Sequence, residues 1–154
     1  MRDLIFVSYS HKDKKWWTAL ETMLKPLEKK LPVEVWADTR IRTSQLWRSE
    51  IDQALERACV AILLVSPNFL ASDFITRHEL PQLLEAAEQG GLFVACLHVS
   101  HSLYGETDIG RYQALNDPSR TLDLLSPGER NRLLAKACLE IKALALLSQK
   151  LTDS

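Results

Sequence analysis

Five consecutive apolar residues, Ala61-Ile62-Leu63-Leu64-Val65, constrain the fold more than any other stretch. A strand with no polar alternation is buried on both faces, as in parallel sheets covered by helices on each side. Ser66-Pro67-Asn68 ends the run, because Pro67 lacks an N–H and biases Ser66 towards extended dihedrals. The spacing of Leu80, Leu83, Leu84 and Ala87 then predicts a helix that reaches Glu88, with Glu79 near its start. Gln89-Gly90-Gly91 supplies the turn after it. Glu79 is therefore expected just past the carboxyl end of a central strand, the edge of an open parallel sheet where ligands bind.

The rest of the chain alternates strand and helix around that unit. Leu4-Ile5-Phe6-Val7 reads as a first strand, with Ser8-Tyr9-Ser10 as the turn leaving it. Trp16, Leu20, Met23, Leu24 and Leu27 predict a first helix over about 12–30, with Pro26 inside it as a candidate kink. Val33 to Ala37 alternates and reads as the second strand, and 38–44 as a polar loop. Leu46, Trp47, Ile51, Ala54 and Leu55 form the buried face of a second helix over about 45–57, with Ser44 as its N-cap. Leu92 to Val99 reads as the fourth strand, 100–122 as irregular, and Thr121 to Leu124 as a short fifth strand. Ser126-Pro127-Gly128-Glu129 has the form of a capping box opening a last helix that reaches about Leu151. This alternation predicts an α/β, flavodoxin-like three-layer fold. It has a central parallel sheet of about five strands in the order 2-1-3-4-5, with helices on both faces. In that order strands 1 and 3 are neighbours, so Ser8-Tyr9-Ser10 is expected beside the turn that leads to Glu79.

A length of 154 residues fits one domain, and 46% apolar with 25% charged residues is ordinary globular composition. The net charge is −1, from 19 basic and 20 acidic residues, so nothing points to nucleic acid or an anionic membrane as partner. No apolar run approaches the ~20 residues that span a bilayer. Met1-Arg2-Asp3 leads straight into the first strand with no leader pattern, and a cytoplasmic protein is expected. Cys59, Cys96 and Cys138 are odd in number and widely spaced within apolar or helical runs, so they read as reduced core residues.

Neither G-x-G-x-x-G nor a Walker-type loop is present. His98-x-x-His101 offers two imidazoles without an accompanying cysteine or carboxylate cluster, short of the three or four ligands of a zinc site. No metal and no resident cofactor are expected. His11 and His78 flank the proposed site and read as solvated residues. Lys12, Lys14 and Lys15, with Asp13 among them, read as a solvated helix face, and Trp16-Trp17 as one core and one half-exposed aromatic. Taken alone, Glu79 would equally suit an ordinary acid in the first turn of a helix.

Three stretches together resemble the TIR domain family. Phe6-Val7-Ser8-Tyr9-Ser10 is similar to its first-strand box. Trp36-Ala37-Asp38, followed by Ile41, Trp47 and Glu50-Ile51, is similar to its second strand, the next loop and the second helix. Ser66-Pro67-Asn68-Phe69-Leu70 through Glu79-Leu80 is similar to the segment bearing the family's catalytic glutamate. The resemblance runs over about residues 3–147 and is nearest to bacterial members that stand at the N-terminus of larger defence or signalling proteins. The expectation is one TIR domain over 1–154, compatible with excision from such a protein.

The resemblance implies a cytoplasmic domain that cleaves NAD⁺ between nicotinamide and ribose, giving ADP-ribose or a cyclised form, and that becomes active on self-assembly. Glu79 takes the place of the catalytic residue. Ser8, Tyr9, Ser10, Asp38, Trp47 and Phe74 form the substrate-facing set, although Trp47 also matches the core stripe of Ile51 and Leu55. Arg40, Ile41, Arg42, Thr43 and Ser44 fall in the loop that moves on assembly. NAD⁺ and further TIR domains are the implied partners. Two positions depart from the family pattern. Ser44 stands where a glycine is frequent, and a loop needing positive φ there tolerates serine poorly. Ile75 stands where many active members have a tryptophan, with Phe74 beside it. The alternative implied by the same family is a non-catalytic scaffold acting through TIR–TIR contacts. A phosphorylation-controlled receiver domain shares the strand order, but Ser8-Tyr9-Ser10 and Ser66-Pro67-Asn68 replace the acidic cluster and phosphoacceptor it needs.

Overall fold

A computed structural model describes residues 2–37 and 47–152. Its five strands are β1 (Leu4–Ser8), β2 (Glu34–Ala37), β3 (Ala58–Val65), β4 (Phe93–His98) and β5 (Gln113–Ala114). They form one parallel sheet in the order β2-β1-β3-β4-β5. The helices are α1 (Lys14–Lys30), α2 (Trp47–Arg57), α3 (Pro67–Ala71), α4 (Leu80–Glu88) and α5 (Pro127–Thr152). This is the flavodoxin-like α/β order that the sequence predicts.

The period-2 geometry of a strand divides its side chains between two layers. Ile5, Val7, Val60, Ile62, Leu64, Ala95 and Leu97 share one core with Trp17, Leu20 and Leu24 of α1 and with Leu134, Ile141 and Ala145 of α5. Leu4, Phe6, Ala61, Leu63, Val65, Val94 and Cys96 share the other with Ile51 and Leu55 of α2, Phe69 of α3, Ile75 and Leu83. All eight residues of β3 are buried, which is why its sequence lacks polar alternation. β2 is an edge strand, and its Val35 amide donates to Glu28 Oε2 of α1 at 2.9 Å, closing a group that would otherwise be open to pairing.

Several expectations need correction. The fifth strand is Gln113–Ala114, whereas Thr121 precedes a 3₁₀ turn over Leu122–Leu124. Two exposed residues paired to Ala95 and Cys96 carry no hydrophobic pattern to detect. Thr121 and Leu122 are buried because the loop folds back on the core, and this mimics strand alternation. Trp16 and Trp17 are both buried, at 7% and 6% exposure. Trp17 stacks on Tyr9 at 5.6 Å, and Trp16 is covered by Lys15 and Arg130 at 4.7 and 4.9 Å from its ring. As expected, α1 reaches Lys30 with Pro26 inside it. At α5, Ser126 Oγ accepts from the Glu129 amide at 3.4 Å, while the Glu129 carboxylate turns to Arg120.

The three cysteines are free and buried in the core. Burial pushes the Cys96 thiol up to about 12 and the Cys138 thiol to about 11.

Candidate functional site

The segment after β3 is three pieces instead of one helix. Ser66 caps α3, its Oγ accepting from the Phe69 amide at 3.0 Å, and α3 closes after one turn at Ser72. Ser72 then starts a new helical run. Its Oγ accepts from the Ile75 amide at 3.3 Å and its carbonyl from the Thr76 amide at 3.0 Å. That run contains one π turn, Ile75–Glu79, closed by the Leu80 amide on the Ile75 carbonyl. Pro81 follows. It has no N–H to give the Arg77 carbonyl, and its ring crowds that carbonyl, so the preceding turn widens rather than continuing as regular α-helix.

The widened turn sets the position of Glu79. Ile75, Glu79 and Leu83 are all buried and follow one another at four-residue steps, so the carboxylate stands in the core-facing stripe of the segment. Glu79 is 1% exposed. The ordinary solvated acid of a helix first turn is thereby ruled out. A buried carboxylate is costly to maintain, and single π turns are frequent at functional sites.

The neighbouring strand exit belongs to β1. Ser8 pairs with Leu63 of β3, and Ser8, Tyr9 and Ser10 are all buried. The Ser8 hydroxyl has no hydrogen-bond partner among the described residues. Tyr9 is stacked on Trp17 in the α1 layer. Ser10 Oγ accepts from the Lys12 amide at 3.3 Å, and its carbonyl accepts from the Asp13 amide at 2.8 Å.

Side chains join the two turns directly. Ser66 Oγ donates to Asp13 Oδ2 at 2.5 Å, and Asn68 Nδ2 donates to Asp13 Oδ1 at 3.2 Å. The β1 and β3 exits therefore meet, as the strand order requires. Asp13 is 6% exposed, not part of the solvated lysine face, although Lys12, Lys14 and Lys15 are exposed as expected.

Phe74 is half-buried, with its ring 5.8 Å from that of His78, whereas Ile75 is 0% exposed in the core. Of these two, only Phe74 keeps surface to offer a ligand. His11 and His78 are exposed. Asp38, Arg40, Ile41, Arg42, Thr43 and Ser44 lie outside the described residues, and Trp47 is described only as the first residue of α2. His98 and His101 do not act together. His98 is buried with its ring 4.5 Å from Tyr104, and His101 is exposed. Among the described residues no three His, Cys, Asp or Glu side chains are grouped to hold a metal ion. A concavity of about 610 Å³ near the exit of β5 is lined by Asn116, Arg120, Arg132 and Lys136 and does not include Glu79.

A parallel sheet in this order, with its first and third strand exits tied together, agrees with a family match over residues 5–127, described as TIR domain. The chain belongs to the TIR domain family. A curated relative is the uncharacterized protein y4lF of Sinorhizobium fredii, 32% identical over 90 residues. That match takes in 58% of this chain and 28% of the relative, so the chain spans well under half the length of that protein. A solved structure that it resembles contains the TIR domains of the activated Roq1 resistosome directly recognizing the effector XopQ. The identity is 16% and the TM-score 0.48, over 97% of this chain and 84% of that one. Among the described residues of this TIR domain, no helix is long and apolar enough to cross a membrane.

The sequence reading missed Asp13, Ser72 and the π turn. One signal was available for Glu79 itself, since a carboxylate at a four-residue step from both Ile75 and Leu83 interrupts an otherwise apolar stripe. Asp13 gave no comparable signal, because an acid among three lysines reads as surface.

Proposed function

We propose that this TIR domain is an NAD⁺ glycohydrolase, centred on Glu79 and active in the self-assembled state. The observation that carries the reading is the burial of Glu79 at the carboxyl edge of the sheet, in a chain of the TIR family. The nicotinamide of NAD⁺ is already a cationic leaving group, so no acid is needed to expel it. The bond from the ribose anomeric carbon to the ring nitrogen breaks with its electron pair passing to the pyridinium. The sugar carbon becomes oxocarbenium-like. One carboxylate held against that carbon stabilises the developing charge, and its preorganisation in a site closed to water strengthens the effect. Water then adds to the carbon and loses a proton, giving ADP-ribose, or a nucleophile within the molecule closes a cyclic product. Ser8 offers a hydroxyl with spare hydrogen-bonding capacity for ribose or phosphate. Phe74 offers a ring face in the neighbourhood where Ile75 supplies none. Arg40 and Arg42 belong to the segment that would meet phosphate or a neighbouring subunit.

The test is NAD⁺ consumption by concentrated protein beside Glu79→Ala, with nicotinamide and ADP-ribose separated by chromatography. Loss of both products in the variant supports the reading. No turnover in a sample that demonstrably assembles overturns it.

The burial of Ile75 at a place where many active relatives carry a tryptophan favours one competing reading, a TIR scaffold. It predicts self-association that Glu79→Ala leaves intact and Arg42→Glu abolishes, with no NAD⁺ turnover in either protein.

A further inference from the structure

Asp13 stands at the N-cap of α1, where an aspartate ordinarily accepts a hydrogen bond from the first turn of its own helix. Its side chain makes no such bond. Both carboxylate oxygens are committed across the sheet instead, Oδ2 to the Ser66 hydroxyl and Oδ1 to the Asn68 amide. Ser66 Oγ also accepts from the Phe69 amide, and the Asp13 amide donates to the Ser10 carbonyl. A continuous chain of hydrogen bonds thus runs from Ser10 through Asp13 and Ser66 to Phe69, linking residues more than fifty positions apart in sequence. Hydrogen bonds to an ionised, buried acceptor are the stronger kind. A residue needed only to cap α1 would not have to be buried or to reach the next strand.

We propose that Asp13 is a positioning residue for Glu79. Its carboxylate locks the β1 turn, which presents Ser8 and Ser10, to the first turn of α3. The lock passes from α3 through Ser72 to the π turn that carries Glu79. It acts on the relative placement of a substrate-facing turn and a reacting carboxylate, and so on kcat more than on KM. Displacing reacting groups by about 1 Å can cost about a hundredfold in rate. The proposal rests on the NAD⁺ glycohydrolase reading.

The decisive experiment is a polarity exchange. Asp13→Asn removes one carboxylate acceptor: its N–H₂ either opposes the Asn68 N–H₂, losing that bond, or turns to the Ser66 hydroxyl, which must then accept instead of donating. Adding Asn68→Asp reverses the donor and acceptor of that pair and returns the carboxylate to the cluster. With NAD⁺ as probe, Asp13→Asn is expected to lower kcat about 10- to 100-fold with KM held within about threefold. The double variant is expected to regain most of the loss. Asn68→Ala, at an exposed position, provides a milder variant that keeps the chain folded and lowers kcat severalfold. Hydrogen exchange at the amides of 66–79 and 8–13 gives a readout independent of turnover, and should quicken in Asp13→Asn while α5 is unchanged.

Wild-type silence in a sample that demonstrably assembles would overturn the glycohydrolase reading and the positioning role with it, and quickened exchange in Asp13→Asn would then mark the cluster as a purely structural contact. Wild-type activity with Asp13→Asn kinetically unchanged would overturn the clamp and leave that reading standing. Failure of the double variant to recover kcat, at equal folded fraction, would also overturn it.

Discussion

The two ends of the sheet are built in opposite ways. At the amino end side chains close several backbone groups. The Arg2 guanidinium donates to the carbonyls of Leu55, Ala58 and Gly90, and the Arg2 carbonyl accepts from Gln149. Arg57 bridges Asp3 and Glu34, and Ser148 of α5 donates to the Gly91 carbonyl. Charges here neutralise one another or saturate strand ends. At the carboxyl end a glutamate is buried in an apolar stripe, a serine hydroxyl is left with spare capacity, and an aspartate spans two turns. One end completes the fold, and the other gathers buried polar groups where the proposed site lies.

The largest test of that contrast is Glu79→Gln. At the carboxyl end, activity is expected to fall by about a hundredfold or more, since loss of one preorganised charge-stabilising group typically removes that much. The same change keeps the side chain's volume and a hydrogen-bonding head group, so the melting temperature is expected to shift by only a few degrees. Thermal melts beside NAD⁺ turnover check both halves, and a large drop in stability would make Glu79 a structural residue instead. Arg2→Ala is the mirror experiment. It strands three carbonyls at the amino end and is expected to cost about 2–3 kcal/mol, measured by denaturant unfolding, with turnover per folded molecule unchanged.

Much of the fold was legible in the sequence, and the illegible part has identifiable causes. β1, β3 and β4 are continuous apolar runs because both faces of a central parallel strand are covered, so layer order and topology follow from them. β5 escapes detection because two exposed residues at a sheet edge need no side-chain pattern. Trp17 is buried by a partner, Tyr9, that lies on another element, and helical periodicity cannot report that. Glu79 was legible as a residue of interest but not as a buried one, since its burial depends on a π turn set by Pro81 two residues later. Asp13 was misread for the same kind of reason. Its partners Ser66 and Asn68 come from a strand end over fifty residues away.

A smaller effect sharpens the amino-end description. Gly91 adopts φ +88, and a Cβ built there would lie 2.7 Å from Arg2 Nε. Gly91→Ala therefore forces a left-handed residue and disturbs the guanidinium that holds three carbonyls. A loss of about 1–2 kcal/mol is expected from the backbone alone. Gly90→Ala, also at positive φ but with open space around its Cβ, should lose the backbone term only. The difference between the two variants, read by chemical denaturation, gives the contribution of the contacts with Arg2 and with Thr152, whose Cγ2 would lie 3.3 Å from the new Cβ.

The smallest expected effect concerns His98, which ends β4 at the carboxyl edge of the sheet. Desolvation holds its imidazole below the ordinary value of 6.5. In the unfolded chain His98 takes up a proton near 6.5, while the folded protein resists until lower pH. Between those two points the unfolded state binds more protons, so stability rises with pH through the window and is lost as pH falls below 6.5. Other titratable groups of the protein add their own pH dependence to a single melting curve. His98→Phe keeps a ring against Tyr104 and removes the proton, so the comparison cancels those other groups. Melting temperatures taken from pH 7 to 5 are expected to fall less steeply in His98→Phe than in the wild type. Equal slopes would mean that the folded protein accepts the imidazolium, and that this part of the carboxyl edge is as open to water as its exposed neighbour His101.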